Sequence, residues 1–247
     1  MTYAVRLWFL ATIAGQLMFG MYVAALYGGA ALHGDLNGWN AVMTHGYVDG
    51  QRLGNAATGA HLLMSAIIML GGALQLIPQL RSMAPVFHRW NGRLYVACAV
   101  AAGLSGLYML WFRGTVGDTV QHLGTSLNSV LILVCAFLAV RHALARDFAA
   151  HRRWALRLFL CVSGVWYFRI GLMFWLAVNG GPAGFDIKTF TGPFLSFLSY
   201  AQYLLPLAVL ELYLRRVRGT AVLVALSAVV TGVGGVVATM GMWLPRM

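Results

Sequence analysis

The sequence predicts an all-α, polytopic transmembrane bundle of seven helices. Three observations carry that expectation. The 247 residues are 60% hydrophobic and only 9% charged, whereas water-soluble domains carry about 25% charged residues. Mean hydropathy is +0.76, so a soluble fold would leave greasy surface in water. The richness in aromatic and branched apolar residues excludes disorder. Arginines gather in alternate loops, which is how topology is written into a membrane sequence. Seven spans of about 20 residues use roughly 140 residues. Only short loops remain, so the chain reads as a single integral membrane domain over 1–247.

The elements follow in order. The first apolar window, 4–27, runs past Gly20 with no cleavage site and reads as a retained helix rather than a signal peptide. The outer segment 28–56 is rich in Gly, Asn and His. It is too long for a tight turn and is expected to fold over the outer mouth. Helices are then expected at 57–80, 88–111, 120–143 and 152–178. The sixth, 192–214, carries Ser196, Ser199, Gln202 and Tyr203 on one face; such a stripe glues helices or lines a small cleft. Pro206 is expected to kink it, and Glu211 stands four residues before Arg215, the spacing of a helical ion pair. The seventh, 219–244, has Gly232, Gly234 and Gly235 and no ionisable group, which suggests close-packing support.

Net charge is +11, from sixteen Arg and one Lys against six acidic residues. Basicity often marks nucleic-acid binding, but here topology explains it, and no nucleic-acid partner is expected. Arg81, Arg89 and Arg93 share one loop region; Arg141, Arg146, Arg152, Arg153 and Arg157 share the next; Arg215, Arg216 and Arg218 share a third. Arg6 lies at the N-terminus. The opposite loops hold Arg52, Arg113 and Lys188 beside Asp35, Asp49, Asp118 and Asp186. The positive-inside rule then places the N-terminus inside and the C-terminus outside. Cys98, Cys135 and Cys161 fall in apolar stretches without a CxxC motif and read as core thiols. The twelve Met residues are scattered and read as packing.

Helices 2 to 5 carry a weak internal repeat. His88-Arg89-Trp90 with Arg93 opens the third helix, and His151-Arg152-Arg153-Trp154 with Arg157 opens the fifth. His61 lies 20 residues before Arg81, and His122 lies 19 before Arg141. This is the pattern of a parallel two-helix repeat forming a four-helix core. It puts His61 and His122 near the outer face and His88 and His151 at the inner face. Facing imidazoles across a bundle are what a b-type haem iron needs as axial ligands. Gly71, Gly72, Gly103, Gly106 and Gly124 are positions where a flat macrocycle could approach. Gly106 is 18 residues from His88, five whole turns, and so shares its face at the other depth. The alternative for these histidines is interfacial anchoring or helix-to-helix hydrogen bonding.

Arg169 is the most expensive residue in the chain, a charge in mid-helix that needs a partner or a wet cavity. A haem propionate, an anionic headgroup or an acidic substrate would pair with it; fastening the fifth helix is the structural alternative. His142 lies on another face from His122 and reads as interfacial. His33 and His45 with Asp35 and Asp49 could form an outer metal site, but their spacing matches no motif.

The run Gly71-Gly72-Ala73-Leu74-Gln75, Arg81, Pro85, His88-Arg89-Trp90-Asn91-Gly92-Arg93-Leu94-Tyr95 resembles the bacterial membrane proteins grouped as domain of unknown function 2306. So does Ala150-His151-Arg152-Arg153-Trp154 with Arg157 and Arg169. The similarity covers about 57–180, with a familiar tail from Gly180 to Leu204. It implies a multi-pass protein of a bacterial inner (cytoplasmic) membrane and carries no established activity. The layout of histidine pairs also resembles the two-haem cytochrome b 561 electron carriers, whose ligands come from helices 2 and 4 and helices 3 and 5.

The leading expectation is a b-type haem electron carrier, a transmembrane oxidoreductase drawing on quinol or a small reductant. His61 and His122 would ligate an outer haem and His88 and His151 an inner one, with Arg169 and Gly106 beside the outer. Two alternatives stay open: a cofactor-free binding or transport protein for a small molecule or lipid, and a structural subunit working with a membrane partner. No nucleophile–base arrangement for hydrolysis is present.

Overall fold

The computed structural model describes residues 3–246 and is all-helical. In chain order its α-helices are α1 Tyr3–Val23, α2 Gly29–Leu32, α3 Arg52–Gln75, α4 Pro78–Met83, α5 Pro85–Tyr108, α6 Thr119–Leu144, α7 Phe148–Val162, α8 Gly164–Asn179, α9 Pro193–Leu214 and α10 Thr220–Ala238. Wider π-turns extend the chain's helical runs at Ala24–Gly28, Met109–Arg113 and Thr239–Trp243. Among the described residues there is no β-strand, only an isolated bridge between Asp186 and Thr191. Six helical stretches are long and apolar enough to cross a bilayer, and seven if α7 and α8 count as one span.

Exposure is inverted relative to a soluble protein. Leu63, Phe112, Phe137, Val222 and Val236 are each more than 60% exposed, while Thr12, Gln16, Thr58, Asn128, Ser163 and Gln202 are buried. In water such a distribution would be an aggregation hazard; in hydrocarbon it satisfies polar groups inside and meets lipid outside.

Three helix boundaries differ from the hydropathy reading. The span expected at 57–80 begins at Arg52 and ends at Gln75. The residue before a proline is pushed out of the α region; Ile77 is extended at φ −81°, ψ 109°, and Pro78 starts the separate helix α4. The helix expected at 152–178 begins at Phe148 and is interrupted at Ser163, where a Ser-Gly pair ends α7 and starts α8. The segment 28–56, expected to be an outer loop, is partly helical, since α2, a 3-10 turn at Leu36–Ala41 and the start of α3 all fall within it. Pro206 is accommodated inside a continuous α9.

The chain packs as two compact units. One comprises the described part of Met1–Phe19 with Val116–Asn128 and Ser163–Arg246; the other comprises Gly20–Thr115 with Ser129–Val162. In the first unit α8, α9 and α10 pack together, joined by the first half of α1 and the start of α6. Small residues set the approach: a Cβ on Gly15 would come 2.6 Å from Trp166 Cζ2, and one on Gly234 would come 2.5 Å from the Ile170 carbonyl oxygen.

In the second unit α3 and α5 pack along their length. A Cβ on Gly72 would come 2.8 Å from the Tyr95 ring. Amide side chains reinforce the contact: Asn91 Nδ2 donates to Gly71 O (3.0 Å) and Gln75 Nε2 to His88 O (3.2 Å). The segment between α2 and α3 is fastened by Arg113, whose guanidinium donates to His45 O (2.6 Å), Gly46 O (3.2 Å) and Asn55 Oδ1 (2.6 Å). Trp39 Nε1 donates to Tyr27 O (3.0 Å). Replacing Arg113 by Ala removes three bonds from one cation, each worth about 1.5–3 kcal/mol where it is shielded from water. Amide hydrogen exchange at residues 43–50 is expected to accelerate at least tenfold while the α3 and α5 interiors stay protected.

Asp118 caps α6, its Oδ1 accepting the Gln121 N–H at 2.9 Å, with Ser196 Oγ donating to Oδ2 at 3.4 Å. The Gln121 N–H is the main reason this carboxyl titrates below its ordinary 3.8. A depressed folded-state pKa stabilises the fold above the unfolded value, and that contribution is lost as pH falls through the folded value. Asp118→Ala should therefore lower stability by about 1 kcal/mol at neutral pH. The gap to the parent should close as the pH is taken well below 3.8.

Candidate functional site

Three of the four candidate histidines, His61, His88 and His151, belong to the second unit; His122 belongs to the first, as do Arg169 and Gly124.

His61 projects from α3 toward α5, with its Nδ1 3.0 Å from Ser105 Oγ. Ser105 Oγ itself donates to the Ala101 carbonyl (2.8 Å). Its single proton is therefore committed, so His61 Nδ1 carries the hydrogen and Nε2 carries the lone pair. A Cβ on Gly106 would come 3.5 Å from His61 Cε1. Gly106 thus lies at the depth of His61, and the space beside it holds the imidazole itself.

His88 and His151 lie near the starts of α5 and α7. They are close enough for their charges to interact, and Arg81 is within the same reach of His88. His151 Nδ1 donates to the Ala139 carbonyl at 2.9 Å, which fixes its tautomer and leaves the lone pair on Nε2. His88 Nδ1 is buried and has no hydrogen-bond partner. Seventeen residues of helix separate His88 from Ser105, roughly 25 Å along α5. The second unit therefore carries imidazoles at two well-separated levels.

The glycines expected to face a macrocycle meet side chains instead. A Cβ on Gly71 would meet Asn91, one on Gly72 would meet Tyr95 and Phe159, and one on Gly103 would meet Ile132. In the first unit Gly124 is covered by Ser199 and Tyr200. These glycines serve close helix approach.

In the first unit Arg169 is half-buried on α8. Its guanidinium carbon stands 5.1 Å from the Phe19 ring centroid, and Nη1 donates to Val165 O at 3.1 Å. An aromatic face and a carbonyl of its own helix both ease the charge. Three members of the polar stripe on α9 bond backbone: Ser199 Oγ donates to Ser196 O, Gln202 Nε2 to Ser199 O and Tyr203 OH to Gly124 O.

Several contributors gave no signal in the sequence reading. Gln16 Nε2 donates to Ser163 Oγ at 2.8 Å in the buried interior. Asn128 flanks Gly164, where a Cβ would come 2.8 Å from Asn128 Nδ2, together with Gln202 of the expected stripe, whose Oε1 would be 3.6 Å away. Trp166 is fully buried, and its indole N–H meets no acceptor. Ser105 was likewise unsuspected, though its place beside Gly106 is the available clue.

At the periphery, His142 Nδ1 stands 3.5 Å from Asp147. His33 Nδ1 donates to Gly29 O. Among the described residues no three His, Cys, Asp or Glu side chains gather into a metal-binding group. The three cysteines are buried and unbridged.

The family model of predicted membrane proteins designated DUF2306 matches residues 59–192, more than half of the chain. The chain belongs to the DUF2306 family. The DUF2306 match takes in α5, α6, α7 and α8 whole, and with them His61, His88, His122, His151, Arg113 and Arg169. No curated protein and no solved structure matches the chain.

Proposed function

We propose that this DUF2306 protein is a membrane electron carrier holding b-type haem through paired imidazoles, with His88 and His151 as the best-supported pair. Its setting is a bacterial cytoplasmic membrane, with the arginine-rich loops inside. The observation that carries the reading is that His88 and His151 lie in one unit, near enough for their charges to interact. His151 has its tautomer fixed by Ala139, and His88 has a buried ring nitrogen without a hydrogen-bond partner. An unsatisfied buried nitrogen costs about 1–3 kcal/mol unless something bonds it. A second-shell bond to a carbonyl is how a ligating histidine is oriented. The filled glycine positions lend no support, so the reading rests on the imidazoles.

A haem bound there would supply the one-electron step. The protein's part would be to present Nε2 of His151 and the ring of His88, with Arg81 near enough to oppose a carboxylate. His61, oriented by Ser105, is a candidate ligand at the second level. The test is the absorption spectrum of purified protein expressed with ample haem. A Soret band that sharpens on dithionite reduction is the expected result. A preparation that stays colourless after hemin is added would remove the proposal.

One observation favours a second reading, a cofactor-free binding or transport protein. The first unit has an uncharged polar interior around Gln16, Asn128, Ser163 and Gln202. A colourless protein that is stabilised against heat by a small neutral hydrogen-bonding solute would support it.

A further inference from the structure

The basic end of the second unit has too few acids to neutralise it. The segments 76–95 and 140–158 contain eight arginines and a single acid, Asp147. That carboxylate is already engaged. Its Oδ1 accepts the Ala150 N–H at 3.0 Å, capping α7, and its Oδ2 faces His142 at 3.5 Å. Arg81, Arg89, Arg93, Arg152 and Arg153 are exposed, and none has a carboxylate within ion-pair distance among the described residues.

Arg89, Arg93, Arg152 and Arg153 belong to the first turns of α5 and α7, and Arg81 to the short α4 just before α5. Tyr95 of α5 and Phe159 of α7 both border Gly72, where a Cβ would come 2.8 Å and 3.4 Å from their rings, and His88 and His151 lie within charge-interaction range, so the first halves of α5 and α7 share one neighbourhood. Each start also carries the same aromatic device: Arg93 stacks 4.9 Å over Trp90 and Arg157 stacks 4.6 Å over Trp154. Stacking holds both guanidinium groups at the depth of an indole, which prefers the headgroup layer. Trp90 is 64% exposed and Phe87 45%, so apolar contact is offered beside the charge. α5 begins with Pro85 and has no side-chain cap.

We propose that the arginine–tryptophan surface at the starts of α5 and α7 is a binding site for anionic phospholipid. Arg89 and Arg152 would grip phosphate oxygens, and Trp90 would lie against the glycerol region. Unpaired arginines fit phosphate because their fork donates two parallel hydrogen bonds. The proposal does not depend on haem.

The test is native mass spectrometry of the detergent-purified full chain titrated with a diphosphatidylglycerol or with phosphatidylcholine. The parent should retain the anionic lipid at least tenfold more tightly than the zwitterionic one. Arg89→Gln with Arg152→Gln should abolish most of that preference, while Arg89→Lys with Arg152→Lys should keep part of it. Arg215→Gln with Arg216→Gln, on the first unit, should leave it intact. An unchanged thermal midpoint in the Gln pair shows that the fold survives. Equal retention of both lipids by the parent, or an undiminished preference in the Gln pair, would overturn the site. Displacement of the lipid by millimolar inorganic phosphate would also overturn it, by showing a simple anion site.

Discussion

Replacing Gly234 by Ala is expected to destabilise the protein by about 2–3 kcal/mol, and Val should do worse. The new Cβ would come 2.5 Å from the Ile170 carbonyl oxygen and 3.1 Å from its carbonyl carbon. Those atoms are α8 backbone and cannot rotate away, so α10 must move off α8. Ile170 is 2% exposed, so the separation would open a buried contact. For a chain of this size the loss corresponds to roughly 5–10 °C in thermal midpoint. Gly232→Ala and Gly235→Ala are the built-in controls, since a Cβ at either meets nothing within 4 Å. Each should be neutral, or stabilising by up to about 1 kcal/mol through helix propensity. Equal midpoints for all three variants, measured in detergent, would show that α8 and α10 do not approach as described.

That contrast also shows what the sequence can and cannot specify. The three glycines look alike as a close-packing trio, and only the structure shows that Gly234 alone bears the contact. The spans themselves were legible because lipid demands a long apolar run and little else. Their ends were not. A hydropathy window averages over about 19 residues and passes over Ile77-Pro78 and Ser163-Gly164, where the backbone is interrupted.

Helical arithmetic sets Gly106 on the face of His88 at the other depth of α5, because 18 residues are five turns whatever the packing. It could not say what fills the space there, and the structure puts the His61 ring in it. Gln16 was passed over for a different reason. Its partner Ser163 is 147 residues away, and no local pattern on α1 announces it. A buried amide in an apolar helix is a signal only once its neighbours are known.

Single substitution of His151 or His88 should remove a bis-imidazole spectrum completely and lower bound haem more than tenfold. On the proposed reading each would be one of the two imidazoles that hold the haem. Among the described residues the nearest alternative sequence neighbour of this kind, His142, is turned to Asp147. His142→Ala should therefore leave the spectrum unaltered. The folded state should survive each change, because the His151 bond to Ala139 is worth only about 1 kcal/mol net and His88 Nδ1 makes no bond to lose. Loss of colour with an unchanged thermal midpoint is thus the signature of ligation. If the spectrum persists in both variants but vanishes in His61→Ala, haem is held at the other level of α5, and the pairing of His88 with His151 is structural. Only the first outcome keeps Arg81 beside the redox centre. Arg81→Gln then serves as an independent check, since removing a cation near the iron should shift the midpoint potential downward while leaving both ligands and the spectrum in place.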